Sequence, residues 1–487
     1  MSAVRVNVLA NLAGQGWAAA LQLLLVPLYL HFLGVEAYAL VSLYMVLLAT
    51  LQIFDLGLGQ TLNRELARAR GLDAEATGVR DLARTIELAY WAIVLAVCGV
   101  LLAAAPFFVP YKLVAAMMIV LVALQWPALL YASGLMGLQE QVLANALRIG
   151  IATAAAAGSA LVLWLVSPTL NALFAWQIVV AAAGVALYWR VFHARLPRAA
   201  AAPRFRPALL RGVWRFAAGA SALTITAVVL TQGDKWILVQ QLSLETYGYF
   251  ALAWTAASAL GLLGMPVFAA IYPRFSAFAA RGERDAEIAL YHLATQALAA
   301  GLAPLALLIA LHAETVLVLW TGDAVAAGRA APLLSVLVLG SLLNALAYPP
   351  YAWELAHGRT RAFLLFNLAA IALALPAVWW LAGSIGAMGA ALVWFALNSA
   401  YLLVVIPVIH RRLPRGEGLR WLATDVAAPL CAAAALLFAV RWALPAPQGP
   451  VALLALLAAA TLAAACAAPA TRALLRGALR FPGTAPR

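Results

Sequence analysis

Uncharged apolar runs of about 20 residues recur along the whole chain, which restricts it to very few kinds of fold. As a helix, such a run rises about 30 Å, the thickness of a bilayer's hydrocarbon core. Of the 487 residues, 66% are hydrophobic and only 10% charged. A water-soluble domain of that balance would expose far more apolar surface than water tolerates. The expected class is therefore an all-α integral membrane protein. Reading from one polar break to the next predicts fourteen spans: 8–33, 37–58, 85–107, 113–137, 148–167, 169–190, 216–241, 247–271, 291–312, 331–352, 362–382, 385–408, 423–443 and 450–469. The opening MSAVRVNVLA has no small-residue cleavage site and reads as the start of the first span.

The basic residues give an independent check. With an inside N-terminus, the inside segments hold Arg5; Arg64, Arg68, Arg70, Arg80 and Arg84; Arg148; Arg190 through Arg215; Arg274, Arg281 and Arg284; Arg359 and Arg361; Arg411 through Arg420; and Arg472 onward. Of the 31 Lys and Arg, this leaves Lys112, Lys235, Arg329 and Arg441 for the outer half. Positive residues mark the cytoplasmic side, so both termini are expected there. The same asymmetry accounts for the basic loops without a polyanionic partner, and no nucleic acid is expected.

A repeat divides the chain. LHFLGVEAYAL joins the first two predicted spans, and VQQLSLETYGY joins the seventh and eighth. They share Leu-x-x-Glu-x-Tyr, as Leu33, Glu36 and Tyr38 against Leu242, Glu245 and Tyr247. An even shift of six spans implies parallel halves about an axis along the membrane normal, an architecture of transporters. The expected organisation is an N-terminal lobe over 1–192 and a basic linker over 193–215. A second lobe over 216–410, two extra helices over 411–470 and a basic tail over 471–487 follow.

Polar residues inside spans are costly, so each is a candidate site. In TQGDKWILVQ, Asp234 and Lys235 lie about 28 Å along the seventh span from its basic end, in the outer leaflet. Lys235 continues a small-polar stripe through Ser221, Thr224 and Thr231, and Asp234 leaves from the neighbouring face. Lys235 could contact an anionic substrate, or the two could be an interfacial pair whose lysine snorkels. In the first span, Asn11, Gln15 and Gln22 share a face with Asn7, which should look onto a cavity or a partner helix. Asp55 and Arg64 stand near the inner interface after the second span, either as the rim of a substrate mouth or as helix-terminating charges. Arg148, at the inner end of the fifth span, is a further cationic candidate.

Other features point to no chemistry. The six histidines are scattered and expected at interfaces. Cys98, Cys431 and Cys466 have no metal-ligand spacing and are expected as small core residues. Arg441 is expected to snorkel. No phosphate loop or nucleophile elbow occurs, so neither an enzyme nor a metal or cofactor is predicted. A membrane glycan polymerase, ligase or glycosyltransferase would need charged groups on sizeable outer loops. The longest here, HAETVLVLWTGDAVAAGRA, offers only Glu314, Asp323 and Arg329.

The stretch NVLANLAGQGWAAALQLLLVPLYLHFLGVEAYAL, followed by DLGLGQTLNRELARA, resembles the start of a polysaccharide-exporter flippase of the Wzx type. TQGDKWILVQQLSLETYGYFALA is similar to that family's seventh-helix motif, and the resemblance runs through about the first 360 residues. It implies two six-helix lobes around a central cavity, often with two extra helices. It also implies translocation of an undecaprenyl-pyrophosphate-linked oligosaccharide across the bacterial inner membrane for O-antigen or exopolysaccharide synthesis. Membrane lipid, a glycan polymerase and other polysaccharide-assembly proteins are the implied partners. Asp55, Arg64, Asp234 and Lys235 fall on family positions of interest; the outer-leaflet pair is the only deep charge expected, whereas a cavity for a pyrophosphate is expected to hold several cations. The alternatives are a lipid II flippase and a cation-coupled multidrug exporter of the same superfamily. The exporter should be richer in carboxylates than this chain.

Overall fold

The computed structural model describes residues 3–71, 76–104, 111–199, 201–444 and 449–475, without the side chains of 3–9, 12, 70–71, 210–224, 362 and 474–475. Among the described residues every regular element is helical and no strand occurs. The protein is a multi-pass, all-α membrane protein, as lipid requires of a chain that must satisfy its own backbone groups.

The helices are α1 (Ala3–Leu51), α2 (Leu58–Gly71), α3 (Ala76–Ala104), α4 (Lys112–Gly137), α5 (Gln141–Leu165), α6 (Leu170–Arg195) and α7 (Pro207–Gln241). There follow α8 (Leu244–Arg281), α9 (Arg284–Leu311), α10 (Ala313–Thr321), α11 (Ala324–Leu346), α12 (Tyr348–Ala356), α13 (Arg361–Ile385) and α14 (Ala387–Ala400). The chain ends with α15 (Ile406–His410), α16 (Glu417–Arg420), α17 (Ala428–Ala443), α18 (Pro450–Ala467) and α19 (Pro469–Leu475). Short π-helical turns over Tyr401–Val405 and Trp421–Ala427 join α14 to α15 and α16 to α17.

Twelve stretches of the described residues are long and apolar enough to cross a bilayer. One of them, Ala13–Asp55, has 43 residues, about twice the length one crossing needs. Its break is at Gly34, whose φ of 79° and ψ of 174° interrupt α1. That left-handed φ is open to glycine at little cost. The second copy of the tyrosine turn is capped differently, with the Thr246 amide donating to the Ser243 hydroxyl at 3.2 Å where α8 begins. In both copies the tyrosine is buried, Tyr38 at 4% and Tyr247 at 0% exposure. Helix α7, part of whose side chains are not described, is not among the twelve, and fourteen crossings stay an expectation.

The chain packs as two units, Met1–Lys235 and Trp236–Arg487. In the first, α4 is the hub and lies against α2, α3 and α6, while α1 lies along α5. Glycines permit the closest approaches: a Cβ on Gly137 would come within 2.5 Å of the Asn63 carbonyl on α2. Such small-residue contacts replace the hydrophobic effect, which is lost when the solvent is itself apolar. In the second unit α11 is the hub, packed on α8, α9 and α14. The extra helices α17 and α18 close onto α9 through Ala300, Ala433 and Ala464, and then through Leu308, Leu437, Leu453 and Ala460. Of the three cysteines only Cys98 is a core residue. Cys431 and Cys466, on α17 and α18, are exposed.

Candidate functional site

The acid and base of α7 meet each other. Lys235 Nζ lies 3.0 Å from Asp234 Oδ1 and 3.1 Å from Oδ2, and donates to the Thr231 carbonyl at 2.6 Å. Adjacent helical side chains start about 100° apart, but the four-carbon lysine stem is long enough to wrap back across that angle. Both residues are buried, at 8% and 3% exposure. The lysine therefore does not snorkel, and its ammonium is engaged by its own helix. Removing one member of such a pair strands a buried charge, at a cost of about 3–5 kcal/mol.

Thr231 belongs to the same cluster through its carbonyl, and its hydroxyl donates to Ala227 O at 2.8 Å. The side chain of Thr224 lies outside the described residues. The other candidates stand apart. Asn11 accepts from Asn145 Nδ2 at 2.6 Å across the α1–α5 contact, so this amide serves as helix-to-helix glue. Gln15 and Gln22 are exposed. Asp55 is half-buried and lies next to Tyr90 and the backbone of Gly57 and Gly59. Leu56 and Gly57 have positive φ, so the chain turns tightly between Asp55 and α2. Arg64 is exposed and lies 3.4 Å from Glu65. Arg148, half-buried on α5, lies near the Tyr188 hydroxyl, which donates to the Ala144 carbonyl at 3.1 Å.

Among the described residues the α7 pair is not the only deep charge, contrary to the expectation from sequence. Glu87, eleven residues into α3, is 3% exposed and takes four partners. Its Oε1 accepts from the Tyr131 hydroxyl at 2.8 Å and the Trp189 indole at 3.1 Å. Its Oε2 faces Arg84 at 3.1 Å and His193 at 3.5 Å. Asp81, one and a half turns earlier, holds the basic linker: it accepts from the Arg204 amide at 2.7 Å and pairs with Arg206 at 2.6 Å.

In the second unit, His292 of α9 is buried between Asp425 and Glu417, with Nε2 2.7 Å from Glu417 Oε2 and Nδ1 bonded to Asp425 Oδ2. Gln296 donates to Asp425 Oδ1 at 2.7 Å, and Trp421 donates to the Thr295 hydroxyl at 3.0 Å. This seam fastens the extra helices to α9. Glu354 is fully buried and pairs with Arg412. His193, His292, His357 and His410 thus work inside polar networks and are not simple interfacial residues. Among the described residues no group of His, Cys, Asp and Glu could hold a metal. The signal that could have exposed these networks was an acid inside an apolar run, at Glu87 and Asp425, read as a demand for a distant partner.

Residues 4–279, more than half the chain, match the family described as polysaccharide biosynthesis protein. The chain belongs to that family. No curated protein sequence matches it. Among solved structures it is similar to the lipid II flippase MurJ in an inward closed conformation, at 10% identity and a TM-score of 0.73 over 98% of this chain and 100% of that one. It is similar to the MATE multidrug transporter DinF-BH, at 14% identity and a TM-score of 0.60 over 86% and 96%. It is also similar to a MOP superfamily transporter from Pyrococcus furiosus described as having a binding pocket of reverse polarity, at 14% and 0.55 over 84% and 95%. At these identities the likeness is one of fold. This member of the polysaccharide biosynthesis family has the fold of MOP-superfamily flippases and exporters, which are transporters.

Proposed function

We propose that this chain is a flippase that moves an undecaprenyl-pyrophosphate-linked oligosaccharide across the bacterial inner membrane by alternating access, for O-antigen or exopolysaccharide synthesis. The observation that carries the reading is the match of residues 4–279 to a polysaccharide biosynthesis family on a flippase-like fold. The proposed organisation is two lobes, 1–192 and 216–410, a linker over 193–215, extra helices over 411–470, and both termini cytoplasmic. Arg64, Arg148 and Lys235, with Asp55, Asp234, Thr224, Thr231 and the α1 amides Asn11, Gln15 and Gln22, form the proposed substrate path. Glycan polymerase and other assembly proteins are the proposed partners.

Two observations favour an anionic cargo over a cationic drug. Of the two carboxylates an exporter would use, Asp234 is already paired with Lys235, and Asp55 is half-buried beside Tyr90. Arg64 is exposed. With a negative cytoplasm, each anionic charge moving outward gains about 2.3 kcal/mol per 100 mV, so the potential can drive the flip without ATP. A lipid II flippase would share this chemistry, and the fold likeness to MurJ keeps that cargo as the second reading.

The test is the lipid-linked glycan pool of a deletion strain, with its sidedness. Undecaprenyl-pyrophosphate oligosaccharide trapped on the inner leaflet, with surface polysaccharide lost, is the expected result, and its mass identifies the cargo. An unchanged pool would sink the proposal. Export that survives both Asp234→Asn and Lys235→Ala at normal protein levels would remove the α7 pair from the substrate path.

A further inference from the structure

The basic-loop end of the second unit contains a cavity of about 550 Å3, lined by Arg284, Glu287, Trp353, His357, Arg359 and Arg412 among others. That volume is within the roughly 300–1,000 Å3 of small-molecule sites. Every charged residue around it lies at or near the end of an apolar stretch. Arg284 opens Arg284–Leu311, with Glu287 one turn inside it; His357 and Arg359 follow Ala324–Ala356; Arg412 follows Ala387–His410. Span ends are where lipid headgroups lie and where basic side chains meet them.

The charges do not balance within the cavity. Arg412 is committed to the buried carboxylate of Glu354. Arg284 uses one N–H to donate to the Arg412 carbonyl at 2.8 Å, and a guanidinium has four more. Arg359 lies over the Trp353 ring, 5.8 Å from its centroid, which holds the fork in place without using its N–H groups. Three guanidiniums against Glu287 and Glu354 leave one positive charge. Glu287 is only 5% exposed; its Oε1 is shut off from solvent without a hydrogen bond among the described residues, which leaves Oε2 as the oxygen a ligand can meet. The nearest nitrogen, Nε2 of the His357 imidazole, is 3.6 Å from Oε1. A ligand matching this surface carries one negative charge and, beside it, a hydrogen-bond donor.

We propose that the cavity binds a phospholipid headgroup with a donor next to its phosphodiester, phosphoethanolamine or phosphoglycerol. The phosphate oxygens face Arg284 and Arg359, and the ammonium or hydroxyl donates to Glu287 Oε2. Phosphocholine has no donor for that oxygen and fits poorly. The site is separate from the cargo path and stands whether or not the flippase reading does.

The test uses the purified full chain in detergent, titrated with dihexanoyl phosphatidylethanolamine, phosphatidylglycerol and phosphatidylcholine, and with inorganic diphosphate as a soluble anion. A charged hydrogen bond gained or lost changes affinity by about ten-fold or more. The ethanolamine and glycerol lipids should therefore bind about ten-fold more tightly than the choline lipid. Arg359→Gln, at an exposed position, should weaken both by about ten-fold. Glu287→Gln should narrow the gap to the choline lipid, and if that variant does not fold, Arg359→Gln decides alone. Equal binding of all three lipids overturns the proposal, as does indifference to Arg359→Gln. Tighter, Arg359-dependent binding of diphosphate also overturns it, in favour of a soluble or carrier phosphate.

Discussion

Each unit buries a glutamate in the first half of a long helix, Glu87 on α3 and Glu287 on α9, and the two are treated oppositely. Glu87 on α3 has both carboxylate oxygens filled by a tyrosine, an indole, an arginine and a histidine. Glu287, in the first turn of α9, has among the described residues only His357 as an ion-pair partner, 3.6 Å from Oε1, and lines a cavity. Burial is nearly equal, 3% against 5%. A fully satisfied buried network rigidifies, whereas a partly satisfied one is either a weakness or a place for a ligand. The difference teaches that burial of an acid does not reveal its role; the completeness of its partner set does. In the first unit the partners arrive from α4 and α6, so Glu87 locks three helices together. In the second unit that locking is done by neighbours, Glu354 with Arg412 and Asp425 with His292 and Gln296. Glu287 is thereby spared.

The largest expected effect that would break this comparison is at Glu87. Glu87→Ala strips Arg84 and His193 of their shared acid and should destabilise by about 3–5 kcal/mol, read as a fall in the thermal midpoint of the detergent-solubilised protein. A midpoint within a degree of wild type would mean that the network is not structural. Next is Tyr131→Phe, which deletes one donor to a charged acceptor and should cost about 1–2 kcal/mol in the same assay. Glu287→Gln should cost less than about 1 kcal/mol, because little is bonded to the acid. Equal losses for Glu87→Gln and Glu287→Gln would erase the distinction.

The smallest effect concerns the other end of the second unit. Burial, with the Arg441 guanidinium nearby, holds the His312 imidazole below its usual range. A histidine whose folded pKa is depressed contributes its stability above the unfolded value of about 6.5 and loses it as pH falls below that. The thermal midpoint should drop between pH 7.5 and 5.5, and His312→Gln should flatten part of that drop. An unchanged slope would assign the acid sensitivity to other groups.

The tyrosine turns show how much of the fold was legible. Leu-x-x-Glu-x-Tyr marked both helix breaks, because a turn at a membrane surface needs local chemistry: Gly34 in one copy, the Ser243 cap in the other. The pair at Asp234 and Lys235 was legible as an anomaly, but its geometry was not. A helical wheel sends neighbours to different faces, and only the folded lysine shows that they close on each other. Asn11 was legible as a residue that must avoid lipid, and Asn145, 134 residues away, was needed to show how. Glu87, His292 and Asp425 were in plain view within apolar runs, yet nothing local announced their partners.

The sequence by itself determined that this chain is built of membrane-crossing helices, with most of its basic residues in the breaks between the apolar runs. Helical hydrogen bonds close within a few residues, and the bilayer's thickness fixes the length of each run, so both can be read along the chain. Only the tertiary structure decided which buried charges are neutralised and which remain available. Trp189 reaches Glu87 across 102 residues, and Asp425 reaches His292 across 133. Charge compensation acts over a few ångströms of space whatever the separation in sequence, so it exists only once the helices have packed.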